Sequence, residues 1–347
     1  MSAQTDFSTR LIAWQKVYGR HDLPWQNTRD PYAIWVSEIM LQQTQVTAVI
    51  GYYQRFMQRF PSIKSLADAS QEEVLQYWSG LGYYSRARNL HNAAQTVMDE
   101  HGGKFPQDFE QIQTLSGIGR STAAAIASFA FNQNQTILDG NVKRVLARHY
   151  LIEGWTGTPK IEKQLWMLAE SLVPEQDMVA YTQGLMDLGA TICTRSKPKC
   201  TECPLIKTCK AYTQNSVAKL PTPKPKKAIP QKETIMLLIR HGKEILLEKR
   251  PSTGIWGGLW SFPEIGQQEI ATQVALSRFG LNTEAEEPLP SIQHVFTHFK
   301  LEITPQPLHV VSKPLQANMP NLIWLPIEDA IGAALPTPVR NILLNLG

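Results

Sequence analysis

The 347-residue sequence has no apolar run of the roughly 18 residues that a membrane-spanning helix needs. Its first fourteen residues also lack the basic region, apolar stretch and cleavage site of a secretory signal. The excess of one sign of charge is small, because 34 Lys and Arg nearly balance 30 Asp and Glu and leave a net charge of +4. We therefore expect a cytoplasmic protein without a membrane anchor, whose charge permits nucleic acid as a partner but does not demand it.

Cysteine is absent outside one short segment, residues 193–209, which holds Cys193, Cys200, Cys203 and Cys209. Disulfides of a secreted fold would be distributed more widely, so a reducing compartment and a local metal site fit better. Zinc normally takes two separated Cys-x2-Cys pairs, and only one such pair is present. The spacing therefore favours a 4Fe-4S cluster over zinc. Four unconnected buried thiols are the alternative.

The length exceeds the roughly 250 to 300 residues at which a single core stops growing, so two domains are expected. Residues 220–230 carry four prolines and three lysines, which exclude a helix or a central strand. We assign residues 1–217 to the first domain, 218–232 to an extended linker and 233–347 to the second domain.

The apolar spacing of the first domain is helical and predicts a mostly α fold of about ten helices. Its clearest segments are residues 31–50, 72–80, 85–100, 120–131 and 142–150. In the second domain, residues 234–240 and 244–249 flank His241-Gly242-Lys243 and predict a hairpin, with further strands at 301–304 and 322–325. The second domain is expected to be smaller and α+β.

Two motifs of the first domain could carry chemistry. Gly117 and Gly119, in the segment LSGIGRSTA (115–123), predict a tight hairpin whose amides could hold a phosphate. A purely structural turn is the alternative. Asp139 precedes a helix and could be its N-cap. That role is compatible with catalysis, because a carboxylate at a helix start stays ionised and can stabilise a cation.

The segments LSGIGRSTA (115–123) and LDGNVKRVLAR (138–148), followed by the four cysteines, resemble the helix-hairpin-helix DNA glycosylases. WVSEIMLQQTQV (35–46), GLGYY (80–84) and MDLGA (186–190) are similar to the adenine-specific MutY family, and the match covers essentially the whole chain. The family hairpin usually has Pro where this chain has Ser116. We expect the turn to persist, because the glycines carry the unusual dihedral angles.

Cleaving an N-glycosidic bond to adenine requires a proton for the base and a negative group for the sugar cation. The resemblance implies that Glu38 is the general acid and that Asp139 stabilises or transiently traps the cation. The apolar surroundings of Glu38 in the sequence could raise its pKa, as an acid near neutral pH requires. An ordinary place on an amphipathic helix is the alternative for Glu38.

The resemblance also implies which residues contact DNA. The base must leave the stack before it can react, so some of these residues should fill the space that it vacates. The resemblance implies these roles: Gly117, Gly119, Arg120 and Ser121 at the DNA backbone, Gln42, Gln43 and Tyr83 wedging the duplex at the opposite base, and Trp25 and Gln183 at the adenine pocket. Tyr83 as a core residue is the alternative. Strand-nicking relatives carry a nucleophilic lysine where this chain has Ser121, so a monofunctional enzyme is expected.

The second domain, which includes LWSFP (259–263), resembles the Nudix-like domain that closes this family. No Arg-Glu dipeptide of the Nudix hydrolase signature occurs in the chain, so the domain should bind rather than hydrolyse. The resemblance implies that Phe296 wedges, Thr297 hydrogen-bonds and His298 reads 8-oxoguanine opposite the adenine. The family more often has Ser at the position of Thr297. Two histidines on a sheet-edge loop are the alternative.

The sequence thus predicts a monomeric DNA repair hydrolase, associated with the nucleoid, that excises adenine paired with 8-oxoguanine or guanine in double-stranded DNA and leaves an abasic site. One rival is a pyrimidine lyase resembling endonuclease III, which Ser121 and the second domain disfavour. The other is a DNA-binding module without catalysis, which the joint presence of Glu38 and Asp139 disfavours.

Overall fold

The computed structural model describes residues 3–225, 228–312 and 321–346. The chain forms two compact units, Met1–Asp68 with Asn89–Lys226, and Ala69–Arg88 with Lys227–Gly347. Residues 69–88 were predicted to belong to the first domain, whereas their contacts group them with the second unit. Positions 226 and 227 of the expected linker, and 313–320 and 347 of the expected second domain, lie outside the described residues.

Helices dominate the chain up to residue 225. Twelve α-helices occur in this described part: α1 (Ala3–Tyr18), α2 (Pro31–Leu41), α3 (Val46–Arg59), α4 (Ile63–Ala67), α5 (Gln71–Trp78), α6 (Ser85–Glu100), α7 (Phe109–Thr114), α8 (Arg120–Phe131), α9 (Gly140–Tyr150), α10 (Pro159–Ser171), α11 (Met178–Asp187) and α12 (Lys210–Thr213). A π-helical turn, Leu188–Ile192, follows α11. Among the described residues, none of the helices has both the length and the apolar composition that crossing a bilayer requires.

The predicted helix over residues 31–50 is wrong as one element, because the chain forms α2 and α3 with a break between them. At the break Gln43 has φ 57°, the left-handed region that stops a right-handed helix. The Gln42 side chain donates from Nε2 to Thr122 Oγ1 at 3.2 Å. This tertiary bond stabilises the break, which neither Gly nor Pro marks in the sequence.

One apolar core of the first unit lies around α9. Buried side chains of α1, α8, α9, α10 and α11 form one apolar cluster that includes Leu11, Ala125, Leu146, Leu165 and Leu185. Because α9 is packed on several sides, the start of that helix is held firmly in place. Asp139 occupies that start.

The second unit is built on one sheet. Its strands are β1 (Gln231–His241), β2 (Glu244–Lys249), β3 (Trp260–Ser261), β4 (Glu264–Ile265), β5 (Asn282–Ala285), β6 (Ile292–Val295), β7 (Lys300–Ser312) and β8 (Leu322–Pro326), with helices α13 (Ala271–Phe279), α14 (Ile327–Gly332) and α15 (Thr337–Leu344). The strand order is β3-β2-β1-β7-β5, while β4 pairs with β1, β6 with β7, and β8 with β2. The predicted hairpin is confirmed by the antiparallel pair β1 and β2, and β1 pairs in parallel with β7.

Polar contacts hold residues 69–88 within this second unit. The Glu72 carboxylate accepts from Lys249 Nζ at 2.7 Å and from Trp260 Nε1 at 2.5 Å. The hydroxyl of Tyr84 donates to the Leu335 carbonyl at 3.2 Å. These partners are more than 170 positions away in sequence, so the grouping could not be predicted from local pattern.

Candidate active site and nucleic-acid interface

Glu38 is the acid of a helix that is otherwise almost entirely buried. Helix α2 begins at Pro31 because Asp30 caps it, accepting from the amides of Tyr32 and Ala33, and Pro fits its first turn. Glu38 lines a cavity of about 530 Å³. Burial, and secondly the charge of Asp139, raises the pKa of Glu38 to about 8. The carboxyl is therefore protonated near neutral pH, as the apolar sequence around it predicts.

Asp139 is the N-cap of α9. Its Oδ1 accepts from the Val142 amide at 2.8 Å. Burial raises the pKa of Asp139, although hydrogen bonds from the Val142 and Asn141 amides and the positive charge of Arg144 oppose that rise. The capping role that the sequence left open is therefore real. Besides capping α9, Asp139 acts on Glu38, because the negative charge of Asp139 raises the pKa of Glu38.

Two residues that the sequence analysis did not single out connect Asp139 to the cysteine segment. The side chain of Asn141 hydrogen-bonds to Asp139. Arg144 donates from Nη2 to Asn141 Oδ1 at 2.7 Å and from Nε to the Cys193 carbonyl at 2.8 Å. The cysteine segment thereby helps to hold the start of α9. Only their position just after Asp139 could have drawn attention to Asn141 and Arg144.

Trp25 and Gln183 line the same cavity as Glu38, although α2 and α11 are distant in sequence. Trp25 is buried and meets Tyr53 edge to face, with ring centroids 5.3 Å apart. Gln183 donates from Nε2 to Asp187 Oδ1 at 2.9 Å. Asp187, which sequence reasoning missed, is fully buried and pairs with Arg20 at 2.7 Å. The cavity therefore offers an aromatic side chain and a hydrogen-bonded amide beside Glu38, and Asp177 is a second carboxyl in its lining.

The glycine hairpin joins α7 to α8. Gly117 has φ 80°, and a Cβ there would lie 2.8 Å from Asn89 Cβ, so a side chain would not fit. Gly119 has an ordinary φ of −86° and caps α8, with open space where a Cβ would stand. The turn persists with Ser116 as expected, but only Gly117 carries an unusual dihedral angle. The space at Gly119 lets another molecule approach the backbone.

Two hairpin side chains have partners of their own. Arg120 pairs with Glu170 at 2.5 Å, and its guanidinium lies 4.0 Å from the Trp166 ring centroid. Ser121 Oγ accepts from the Leu138 amide at 3.0 Å, which ties α8 to the residue preceding Asp139. Arg120 is thus paired with Glu170, whereas Ser121 contacts the residue that precedes Asp139.

Gln43 lies in the break between α2 and α3, where its side chain is exposed and its backbone is left-handed. Gln42 is turned inward, to Thr122 of α8. A left-handed residue other than Gly costs free energy and is found preferentially at functional sites. The break therefore exposes the side chain of Gln43, whereas that of Gln42 is turned toward α8.

The second unit holds a separate cavity of about 370 Å³ lined by Tyr83, Phe296, Thr297 and His298. Tyr83 is 48% exposed with φ 50°, which decides against a core role for it. Phe296 stacks on Phe299, with ring centroids 4.5 Å apart. The structure thus brings Tyr83 beside the segment that the sequence linked to lesion reading.

The four cysteines line one small, apolar void together with Arg148. Burial, together with the other three cysteines, raises the pKa of Cys203 to about 12. A metal group that binds the thiolate form must therefore supply positive charge to compensate for the negative charge of the sulfur. Among the described residues, no three Cys, His, Asp or Glu side chains are placed to share one metal ion. Four cysteine side chains around one void form a donor set that suits iron or zinc.

Arg148 holds this segment in place. Its guanidinium is buried and donates to the carbonyls of Leu220 and Thr194, each at 2.8 Å. Its Nη1 lies 3.4 Å from Cys193 Sγ. A buried cation beside the sulfurs would partly offset the negative charge of a thiolate-bound cluster.

Comparison with known proteins assigns the chain to a class of base excision repair proteins. Residues 36–171 match the family described as "HhH-GPD superfamily base excision DNA repair protein", and residues 234–345 match "NUDIX domain". A solved structure of a thermostable thymine-DNA glycosylase is similar over 61% of this chain and 97% of its own, with a TM-score of 0.54 and 31% identity. The predicted fold class is confirmed.

Similar proteins of known activity identify the family more closely. The chain is 42% identical to the adenine DNA glycosylase of Buchnera aphidicola subsp. Acyrthosiphon pisum, covering 98% of this chain and 97% of that protein. It is 35% identical to the adenine DNA glycosylase of Homo sapiens, covering 97% of this chain and 73% of that protein. The chain therefore belongs to the adenine DNA glycosylase family, and DNA glycosylases are hydrolases of N-glycosidic bonds.

Proposed function

We propose that the protein excises adenine paired with 8-oxoguanine or guanine in double-stranded DNA and leaves an abasic site. The observation that carries this proposal is Glu38, a carboxyl with a pKa of about 8 in a cavity of about 530 Å³. That volume lies within the range of pockets that hold small ligands, so it suits an extruded base. Membership of the adenine DNA glycosylase family supports adenine as that base.

In the proposed reaction Glu38 donates its proton to a ring nitrogen of adenine while the bond between the base and the sugar C1′ breaks. The electron pair of that bond leaves with the base. Asp139, as a carboxylate, stabilises the positive charge that develops on the sugar. Water then adds to C1′, and its proton returns to the enzyme, so that Glu38 is protonated again.

The adenine must leave the duplex before Glu38 can reach it, at a cost of about a few kcal/mol. We assign the filling of the vacated stack to Gln43 and Tyr83, both exposed and both left-handed. Gln42 supports this by holding the break between α2 and α3. Trp25 and Gln183 then contact the extruded adenine in the cavity.

The hairpin would hold the DNA backbone. The backbone at Gly119 faces open space at the start of α8, where the helix dipole favours a phosphate. Arg120 adds a positive charge if it exchanges Glu170 for the phosphate. We assign no base reading to these residues, and we propose that the protein acts as a monomer on nucleoid DNA.

In the second unit, Phe296, Thr297 and His298 would read the 8-oxoguanine opposite the adenine. Their cavity includes Tyr83, so an aromatic side chain proposed to enter the duplex adjoins the proposed reader. The Nudix-like unit then acts by binding. This gives the enzyme a means to prefer 8-oxoguanine over guanine.

The cysteine segment would hold a 4Fe-4S cluster through Cys193, Cys200, Cys203 and Cys209. When bound, the cluster supplies structural cross-linking of residues 193–209 and positive charge for four thiolates. Arg144 and Arg148 transmit that rigidity to α9 and hence to Asp139.

The decisive experiment is a single-turnover reaction with a duplex that contains one adenine opposite 8-oxoguanine, analysed with and without alkali. We expect strand cleavage at the adenine only after alkali, because hydrolysis leaves an intact abasic strand. Cleavage without alkali would support the lyase, and no reaction by cluster-loaded protein would support the binding module. A parallel duplex with guanine opposite the adenine should react more slowly.

Replacing Ser121 by Lys should add strand-nicking activity. Ser121 contacts the residue that precedes Asp139, and an amine introduced at this position can form a Schiff base with the abasic sugar. We expect a covalent complex that borohydride traps, together with slower excision because Leu138 loses its acceptor. Ser121→Ala is the matched control, and trapping by that variant would contradict the role of the amine.

Replacing Cys203 by Ser should remove the iron. Serine nearly preserves the volume but is a poor ligand for iron, so we expect the metal content to fall from about four iron atoms per chain to well below half of that. Elemental analysis and thermal unfolding measure the effect. Thr201→Ala, a change at an exposed residue of the same segment, should keep the iron. Zinc at about one atom per chain in the unaltered protein would exclude the cluster.

A further inference from the structure

The loop of residues 254–258 in the second unit has a bulky residue in a strained conformation. Trp256 has φ 55°, in the left-handed region that large side chains occupy only at a cost in free energy. Glycine would adopt this conformation without strain, and glycines stand at positions 254, 257 and 258 of the same loop. The indole, which is 7% exposed, must therefore contribute something that offsets the strain.

The contacts of the indole point to that contribution. Its ring centroid lies 5.3 Å from that of Phe296 and 5.4 Å from that of His294. Phe296 in turn meets His294 edge to face at 4.6 Å. These separations lie within the range of favourable aromatic pairs. Trp256 is thus one of three mutually contacting rings, and one of the other two is the proposed wedge into the lesion.

The loop is also fixed from two other sides. Arg250 donates from Nε to the Ile255 carbonyl at 3.1 Å, and its guanidinium lies 5.6 Å from the Trp256 ring centroid. Arg88 donates from Nη1 to the Gly257 carbonyl at 2.7 Å. Arg88 belongs to residues 69–88, which carry Tyr83, and both residues line the cavity that Trp256 shares with Phe296 and His298.

We propose that Trp256 is a positioning residue for recognition of 8-oxoguanine. Its ring fixes Phe296 and His294 so that Thr297 and His298 present their polar groups to the cavity. The hydrogen bond from Arg88 to the Gly257 carbonyl holds the same loop in a fixed position relative to Tyr83. This inference rests on the proposed reading of 8-oxoguanine by residues 296–298 and adds the residue that holds the reader in place.

The test compares full-length Trp256→Gly, Trp256→Leu and Trp256→Phe with the unaltered protein. For each, single-turnover excision of adenine is measured opposite 8-oxoguanine and opposite guanine, and the ratio of the two rates is the readout. Binding to duplexes with a non-hydrolysable 2′-fluoro-adenosine opposite either base gives the matching ratio of Kd values. Phe296→Ala is the positive control. Trp324→Leu, in the same unit but outside the cavity lining, is the matched control for lost ring volume.

We expect Trp256→Gly and Trp256→Leu to lower both ratios about tenfold, because the aromatic pairs with Phe296 and His294 are lost. Trp256→Phe, which retains a ring, should restore the ratios to within about twofold. Trp324→Leu should lower the thermal midpoint and leave the ratios unchanged. Should Trp256→Gly not fold, the contrast between Leu and Phe at this position carries the same test.

An unchanged ratio in Trp256→Leu, alongside a lowered ratio in Phe296→Ala, would overturn the positioning role and leave lesion reading intact. A ratio near one in the unaltered protein would instead show that residues 296–298 read no lesion. The failure of this inference and the failure of the proposed function therefore give different results.

Discussion

Asp139→Asn is expected to bind a mispaired duplex as tightly as the unaltered protein while excising adenine at least about 10³-fold more slowly. The fold should survive, because Asn is as good an N-cap as Asp and its Oδ1 can still accept from the Val142 amide. What the substitution removes is the negative charge that would stabilise the sugar cation. Single-turnover excision and duplex binding measure the two effects separately.

The matched control is Asp108→Asn. Asp108 caps α7 with the same kind of bond, accepting from the Gln111 amide at 3.0 Å, but only Asp139 is a charge that raises the pKa of Glu38. Its substitution should change the excision rate by less than about twofold. Excision that is retained in Asp139→Asn would remove Asp139 from the mechanism and leave it as a helix cap only.

Glu38→Gln is expected to lower excision by about 10² to 10⁴-fold, because the amide cannot donate the proton that the leaving base requires. In the unaltered protein the rate should fall as the pH rises through about 8, the pKa to which burial and Asp139 raise Glu38. The residual activity of the variant should lack this fall. The measurement is a pH profile of single-turnover excision for both proteins.

The same group has an effect on stability. In the unfolded chain Glu38 loses its proton near its ordinary pKa of 4.5, whereas in the folded protein it keeps the proton up to about 8. The folded state therefore binds more protons, and this group's contribution to stability falls as the pH rises between those values. Glu38→Gln should be more stable than the unaltered protein at and above pH 8, by the order of a few kcal/mol, with the difference shrinking toward pH 4.5.

Glu110→Gln, at an exposed position of α7, is the matched control for both measurements. It should reproduce the pH profile and the unfolding free energy of the unaltered protein. If Glu38→Gln showed the same fall in rate near pH 8 as the unaltered protein, another group would have to be the acid.

Local pattern in the sequence was sufficient for several elements. Helices α6 and α8 occur over the residues predicted for them, since apolar spacing is a local property. The hairpin of β1 and β2 was likewise signalled by a turn between two apolar runs. Long-range contacts decided the exceptions. Gln42 bonds to Thr122 at the break after α2, and Glu72 bonds to Lys249 and Trp260 in the second unit.

The sequence identifies several candidate site residues but not the residues that surround them. The motifs that carry Glu38, Asp139 and the four cysteines stand out in the chain, because each chemistry needs its residue type at a fixed spacing. The partners of these residues do not. Asn141 and Arg144 are ordinary polar residues until the fold places one against Asp139 and the other against the Cys193 carbonyl. Arg120 was predicted at a phosphate, and the fold pairs it with Glu170.

The sequence by itself determined the helical class of the first unit, the sheet of the second, and the residue types available for acid catalysis and cluster binding. Tertiary structure alone decided that Glu38 would have a pKa of about 8, because that value depends on burial and on a charge 101 positions away in the chain. It also decided that Tyr83 and Phe296 would line one cavity and that the Trp256 ring would lie 5.3 Å from the Phe296 ring. Spacing along the chain fixes which groups exist, whereas only packing fixes their electrostatic surroundings and their neighbours.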